Sequence, residues 1–224
     1  MSGLCVLIPA YNAEKTLEGV IEGVKQSRLD IIVVDDGSTD STARIGTEIG
    51  VTLLRHPENR GKGRALRTGF AHVVEHGYEA VVTLDADGQH DSAEIPRFAE
   101  LYRTENPDII IGSRAAQFSQ MPWLRRFWNR LGARAISRLT HTAISDSQSG
   151  YRLIRTDVLK DVRLTTSTYE TEMELLIKAC KKGYRVVTMS VKGHAVSDTS
   201  TSHFRPVIDT FKICMLYLRG LLWR

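Results

Sequence analysis

Apolar runs of four or five residues recur along the first half of the chain, each followed by a polar cluster and then by a segment of helical spacing. The runs are Leu4 to Ile8, Ile31 to Val34, Val51 to Leu54, Ala80 to Leu84 and Asp108 to Ile111. Their length and their lack of polar alternation predict strands, the first of them buried on both faces. Between the first two, Leu17, Val20, Ile21 and Val24 share one face of a helix predicted over Ala13 to Gln26, with Asn12 as its cap. Ser38 or Asp40 caps a second helix that ends near Ile49. A third helix follows Asn59-Arg60-Gly61-Lys62-Gly63-Arg64 and stops at His76, with Gly77 past its end. Pro96 fits the first turn of a fourth, through about Arg103. This alternation predicts an α/β fold with a mostly parallel sheet flanked by helices.

After Arg114 the alternation stops. Met121 to Leu139 has helical spacing, with Trp123, Leu124, Phe127, Trp128, Leu131, Ala135 and Leu139 on one broad arc. It carries five arginines and no acid. Asp146 to Arg152 reads as a polar loop, Thr171 to Lys182 as a helix stopped by Gly183, and Tyr184 to Val191 as a last strand. Pro206 opens a C-terminal helix. The expected organisation is one domain over 1–224, with a nucleotide-binding half, 1–114, and an acceptor-side half, 115–224.

Composition changes this picture little. Hydrophobic content of 42% and charged content of 25% suit an ordinary core, and the net charge of +4 is mild. Three distant cysteines, Cys5, Cys180 and Cys214, match no disulfide or metal spacing, which points to a reducing compartment. No signal-peptide pattern and no spanning apolar stretch is expected. Nucleic acid is not an expected partner, because no basic-aromatic platform or nucleic-acid motif occurs.

The chemistry gathers where the strands end, which is where parallel α/β sheets bind ligands. Asp85, Asp87 and Gln89 follow the fourth run and would point one way if the chain stayed extended. Two close carboxylates repel unless a cation lies between them, and oxygen donors suit Mg2+ or Mn2+ bridging to a diphosphate. Asp36, in Asp35-Asp36-Gly37-Ser38, can accept from a base or a ribose. Gly61-Lys62-Gly63 opens a helix whose N–H groups favour an anion, although a plain surface turn reads equally well there. Arg114 can reach a phosphate or the carboxylates. His194, His203 and Arg205 form a later polar group, in which the Arg205 guanidinium suits phosphate best.

In order and spacing, IPAYNAEKTL, VVDDGSTDST, NRGKGRALRTGF, LDADGQH, IGSR and DSQSGYRLI resemble the family 2 inverting glycosyltransferases, above all the dolichol- or polyprenol-phosphate hexosyltransferase branch. The likeness spans roughly residues 4 to 178. It implies a GT-A (Rossmann-like) fold, a nucleotide-diphosphate sugar donor such as GDP-mannose or a UDP-hexose, and Mg2+ or Mn2+. By motif position Pro9, Ala10, Tyr11 and Glu14 would line the nucleotide site, with Asp36 and Ser38 near the base. Asp85, Ala86, Asp87 and Gln89 match the metal motif, and Arg114 matches the residue after the fifth strand. The C-terminal transmembrane helices of some relatives have no counterpart here.

The expected reaction is attack on the anomeric carbon with inversion, in which Asp87 has a catalytic part as a metal ligand. A hydroxyl acceptor would need a general base, for which Asp146, Glu170, Glu172 and Glu174 are the candidates. A polyprenyl phosphate would need none, being ionised already. The basic helix with its tryptophans, joined by the C-terminal helix, can lie at a membrane surface. This favours a peripheral enzyme at the cytoplasmic face. A soluble enzyme with a hydroxyl acceptor, or a non-catalytic nucleotide-sugar-binding or scaffold protein, are the alternatives. The same two helices could instead serve a homodimer.

Overall fold

The computed structural model describes residues 3–114, 134, 136–138, 144, 146, 149–168 and 170–192. The expected helices at 121–139 and from Pro206 onward fall almost wholly outside these residues, as do Arg205, His194 and His203. Seven strands form one sheet in the order β3-β2-β1-β4-β6-β5-β7. They are β1 Leu4–Ala10, β2 Asp30–Asp35, β3 Thr52–Arg55, β4 Ala80–Thr83, β5 Ile109–Ser113, β6 Arg152–Arg155 and β7 Val186–Ser190. All neighbours are parallel except β6, which runs antiparallel to both β4 and β5.

Two apolar layers follow from the alternation of side chains along each strand. Leu4, Val6 and Ile8 of β1 face α1 (Leu17–Lys25) and α4 (Ile95–Glu105), where Val20, Ile21, Val24 and Phe98 are buried. Cys5 and Leu7 face α3 (Lys62–Glu75) and α6 (Thr171–Lys181), where Leu66, Phe70, Val73 and Leu176 close the second layer. Each fully buried Leu, Ile, Val or Phe contributes about 1.5–3 kcal/mol, so the central strands are the stable frame. Between them in sequence lie α2 (Thr42–Ile49), beside α1, and α5 (Thr156–Asp161), directly after β6.

Four expectations need correction. Pro9 does not end β1, which continues to Ala10. Leu7 still accepts from Leu84 N on the β4 side, and Pro9 has the same orientation two residues later. Its missing donor therefore falls where β4 has finished. The first helix begins at Leu17, not Ala13, after a turn closed by Thr16 N and Leu17 N on Ala13 O. Asn12 has φ +47 and does not cap it. The polar loop predicted through Arg152 ends one residue earlier, in β6, whose Leu153 and Ile154 are too few to register as an apolar run. A further short helix, α5, was not anticipated.

A buried carboxylate ties the second layer together. Glu174 is fully buried on α6 and accepts from the backbone N–H and the hydroxyl of both Thr165 and Thr166. Burial opposes its charge, but Lys178 at 2.5 Å and the threonine donors outweigh that and pull its carboxyl down to about 2. A carboxyl lowered on folding contributes stability above its unfolded pKa, about 4.3, and this is lost as the pH falls towards 2. Glu174→Gln is therefore expected to destabilise by about 2 kcal/mol at pH 7. Thermal melts of the two proteins should converge as the pH is lowered to 3.

Candidate functional site

The loops after β1 and β2 are clasped to each other. Asn12 N donates to Ser38 Oγ at 2.9 Å, Ala13 N to Thr42 Oγ1 at 2.8 Å and Glu14 N to Asp40 Oδ2 at 3.1 Å. In return Thr39 N donates to Asn12 Oδ1 and Ser41 N to Glu14 Oε2. Local caps predicted from the sequence are thus spent between loops, and Asp40 alone also serves the start of α2, through Thr42 N. This double clasp fixes Ala10, Tyr11 and Glu14 beside Asp36 and Ser38 at one edge of the sheet. Thr16 Oγ1 extends it to Ala86 O at 2.6 Å.

Asp36 is buried and gives its carboxylate to the next loop. Its Oδ1 lies 2.6 Å from His56 Nδ1 and accepts from Arg60 N, while Oδ2 accepts from Gly61 N at 2.7 Å. The residue expected to meet a base therefore also holds the entry to α3. That entry is not an open anion site. A Cβ on Gly63 would lie 1.9 Å from Thr171 Oγ1 and 2.6 Å from Thr168 O, and one on Gly61 would lie 2.6 Å from Ser167 O. Arg64 N donates to Ser167 O at 3.0 Å. The two glycines of Gly61-Lys62-Gly63 are needed for the close approach of the segment before α6.

Lys62 itself points to the carboxylates. Its Nζ lies 2.6 Å from Asp85 Oδ1, just past β4, and 3.0 Å from Glu172 Oε2, in the first turn of α6. Burial would lower the ammonium pKa, but Asp85 and Glu172 outweigh it and raise it well above the usual lysine range. Burial likewise opposes the charge on Asp85, yet Lys62 and His90 hold its carboxyl far below the ordinary range. Gly150 backs this group: a Cβ there would lie 2.8 Å from Asp85 Oδ2 and 3.1 Å from Glu172 Oε1.

Asp87 behaves in the opposite way. Burial first, and the neighbouring Asp85 charge second, raise its carboxyl pKa. The chain does not stay extended as expected: it turns at Gly88, with φ +74, and Asp87 Oδ1 accepts from Gln89 N at 2.9 Å. Asp85 and Asp87 still interact closely enough to repel, which is the condition a divalent cation relieves. Among the described residues no three His, Cys, Asp or Glu side chains gather into a metal cage. Two carboxylates with the Gln89 amide nearby fit Mg2+ or Mn2+ only as part of a shell, the rest coming from phosphate oxygens and water.

Just past β5 Arg114 is tied to Asp146, with its N at 3.2 Å and its Nε at 3.4 Å from Asp146 Oδ2. Asp146 is buried, as is the whole of Arg152, which donates from Nε to Ser149 O and from a terminal nitrogen to Glu172 O at 2.6 Å. Glu170 pairs with the hydroxyl of Thr168.

Over residues 5–163 the chain matches the family described as Glycosyl transferase family 2. It belongs to that family. It is 32% identical to a UDP-N-acetylglucosamine–dolichyl-phosphate N-acetylglucosaminyltransferase of Methanococcus voltae, over 84% of each chain. To the polyprenol monophosphomannose synthase of Mycolicibacterium smegmatis it is 29% identical, over 98% of this chain and 88% of that one. Its fold superposes on the glucosyl-3-phosphoglycerate synthase of Mycobacterium tuberculosis in complex with Mn2+, UDP-glucose and phosphoglyceric acid. The TM-score is 0.74 at 20% identity, covering 99% of this chain and 80% of that one. The fold is that of a GT-A glycosyltransferase.

For this glycosyltransferase the sequence reading missed three residues at the reaction edge. His56 and Arg152 are structural supports that no motif announces. His90 is buried, 3.5 Å from Asp85 Oδ2 through Nε2, with its ring 5.0 Å from that of Tyr151. Its place in LDADGQH was the available signal. Because Lys62 pairs with two carboxylates from different elements, Lys62→Met is expected to destabilise by about 2 kcal/mol, less than a fully buried pair would cost because all three side chains keep some solvent contact. Urea unfolding at pH 7 in a chelator-containing buffer measures it.

Proposed function

We propose that this chain transfers a hexose, with inversion, from a nucleotide-diphosphate sugar such as GDP-mannose or a UDP-hexose to a polyprenyl phosphate presented at a membrane surface. The observation that carries this reading is the state of the acids on the acceptor side. Asp146 is tied to Arg114, Glu172 to Lys62, Glu170 to Thr168, and Glu174 to Thr165, Thr166 and Lys178. Each of these carboxylates already has a partner within the fold, whereas a hydroxyl nucleophile would need a base that reaches it. A phosphate oxygen carries its own negative charge and needs no base. We therefore assign Asp146 and Glu172 to positioning Arg114 and Lys62 rather than to proton removal. The acceptors in the names of both relatives, a dolichyl phosphate and a polyprenol, agree with this.

The clasped loops would hold the nucleotide, with Pro9, Ala10, Tyr11 and Glu14 along it and Asp36 and Ser38 fixing the loop nearest the base. Asp85 and Asp87 would hold Mg2+ or Mn2+, with Gln89 and Ala86 beside them. The cation supplies charge neutralisation at the leaving diphosphate, usually the largest catalytic term. Lys62 and Arg114 are cations of the chain itself that would assist that neutralisation, Lys62 from beside Asp85 and Arg114 from the end of β5. His90 orients Asp85 from behind. Arg205 keeps its proposed phosphate role. The arginine-rich segment at 121–139 would contact anionic lipid at the cytoplasmic face, and among the described residues no helix is long and apolar enough to cross a membrane.

The test is a panel of UDP- and GDP-sugars incubated with Mn2+ and undecaprenyl phosphate, with mass analysis of the lipid. A glycosyl-phosphoryl-polyprenol and released nucleoside diphosphate are expected. Transfer to a glycan hydroxyl but not to the lipid phosphate would replace this acceptor. Asp87→Asn is expected to lower kcat/KM about 10³-fold with the melting temperature held within a few degrees, because the substitution removes a destabilising like charge. A variant near wild-type rate would remove Asp87 from the metal shell.

A further inference from the structure

At the end of α3 remote from Lys62, the rings of His72 and His76 stack with their centroids 3.7 Å apart and their planes inclined by 27°. Neither histidine has a part in the site described above. We propose that this pair is a binding site for a borderline transition-metal ion, Ni2+, Cu2+ or Zn2+, distinct from the Mg2+ or Mn2+ site.

The spacing is the first reason. Residues four apart on a helix are surface neighbours, so both imidazoles project over one turn. Two nitrogens bound tetrahedrally to one ion at 2.0–2.1 Å lie roughly 3.3 Å apart, a span that two side chains one helical turn apart can reach. Imidazole lone pairs lie in the ring plane, so the stacked rings turn about their side-chain torsions, at this surface end of the helix, before both face one ion.

The state of the rings is the second. His76 Nδ1 lies 2.9 Å from His72 O. A carbonyl can only accept, so Nδ1 carries the proton and Nε2 keeps its lone pair. A backbone carbonyl on the other ring nitrogen is the usual way a metal-binding histidine is oriented. Partial burial, and then the adjacent His76, lower the pKa of His72 and favour its neutral, ligating form, with Glu75 acting the other way. The carbonyls at the end of α3 form the negative pole of the helix and favour a cation there.

Ligand type sets the specificity. Imidazole suits Ni2+, Cu2+ and Zn2+, whereas Mg2+ prefers oxygen. Among the described residues no third His, Cys, Asp or Glu completes the group, so water fills the remaining positions. Binding therefore rests on the chelate, in which the second imidazole acts at high effective concentration.

The test uses the whole chain in buffer without chelator, titrated with NiCl2 by calorimetry, and with CuCl2 by electron paramagnetic resonance. One Ni2+ per chain and a two-nitrogen Cu2+ signal are expected. His72→Ala and His76→Ala should each weaken Ni2+ binding about 10²-fold, while Asp87→Asn leaves it unchanged. Both histidines lie on the outer face of α3, and the melting temperature without metal checks that each variant folds. The proposal is overturned if either single variant binds as the wild type does, if Asp87→Asn abolishes binding, or if the Cu2+ signal shows one nitrogen. Donor-sugar turnover plays no part in these readouts, so they stand apart from the proposed transferase activity.

Discussion

The reaction edge is organised by one lysine between two carboxylates from distant parts of the chain. Lys62 and Glu172 are 110 residues apart, and Lys62 also takes one oxygen of Asp85. The ammonium thereby ties the start of α3, the end of β4 and the start of α6 at one point. Partly buried like charges demand such a cation, because Asp85 and Glu172 would otherwise face each other and the backbone of Gly150 across a low-dielectric gap. The loss of one charge there would be felt by three elements at once. Glu174, two residues beyond Glu172 on α6, adds a second anchor to the same helix by holding Thr165 and Thr166.

That constraint also explains the opposite behaviour of two neighbouring acids. Asp85 is fully compensated by Lys62 and His90, and its proton leaves readily. Asp87 gains no comparable partner and carries the repulsion of its neighbour. An unpaired charge held beside a paired one is a site with a deficit of positive charge. A divalent cation brought to that site would correct the deficit. Binding and electrostatic relief are then the same event.

Much of this was legible in the residues. The six predicted strands are present: the central parallel ones are buried on both faces and read as unbroken apolar runs, as Ala80 to Leu84 does, while β3 and β7 at the sheet edges are only partly buried. The acids at their ends were legible for the same reason: nothing in a core tolerates Asp36 or Asp85 except at the boundary. What stayed hidden depends on partners far away in sequence. β6 was lost because its buried Arg152 reads as surface polarity until Ser149 O and Glu172 O are placed around it. The glycines flanking Lys62 suggested an anion because the segment that crowds them lies about a hundred residues later. Asn12 looked like a helix cap, since a side chain that reaches across to another loop is spelled the same way as one that reaches along its own.

One topological detail sets how such a protein can diversify. Because β6 alone runs against its neighbours, its beginning, not its end, lies at the reaction edge. The chain therefore leaves that edge after Ser113 and comes back to it at Arg152, on the adjacent strand. Everything between is an excursion with both feet planted beside Arg114 and Gly150. Lengthening such an excursion costs little closure entropy and disturbs no strand pairing. A lineage can rewrite the segment between Ser113 and Arg152 while the sheet that carries both of its ends remains as it is.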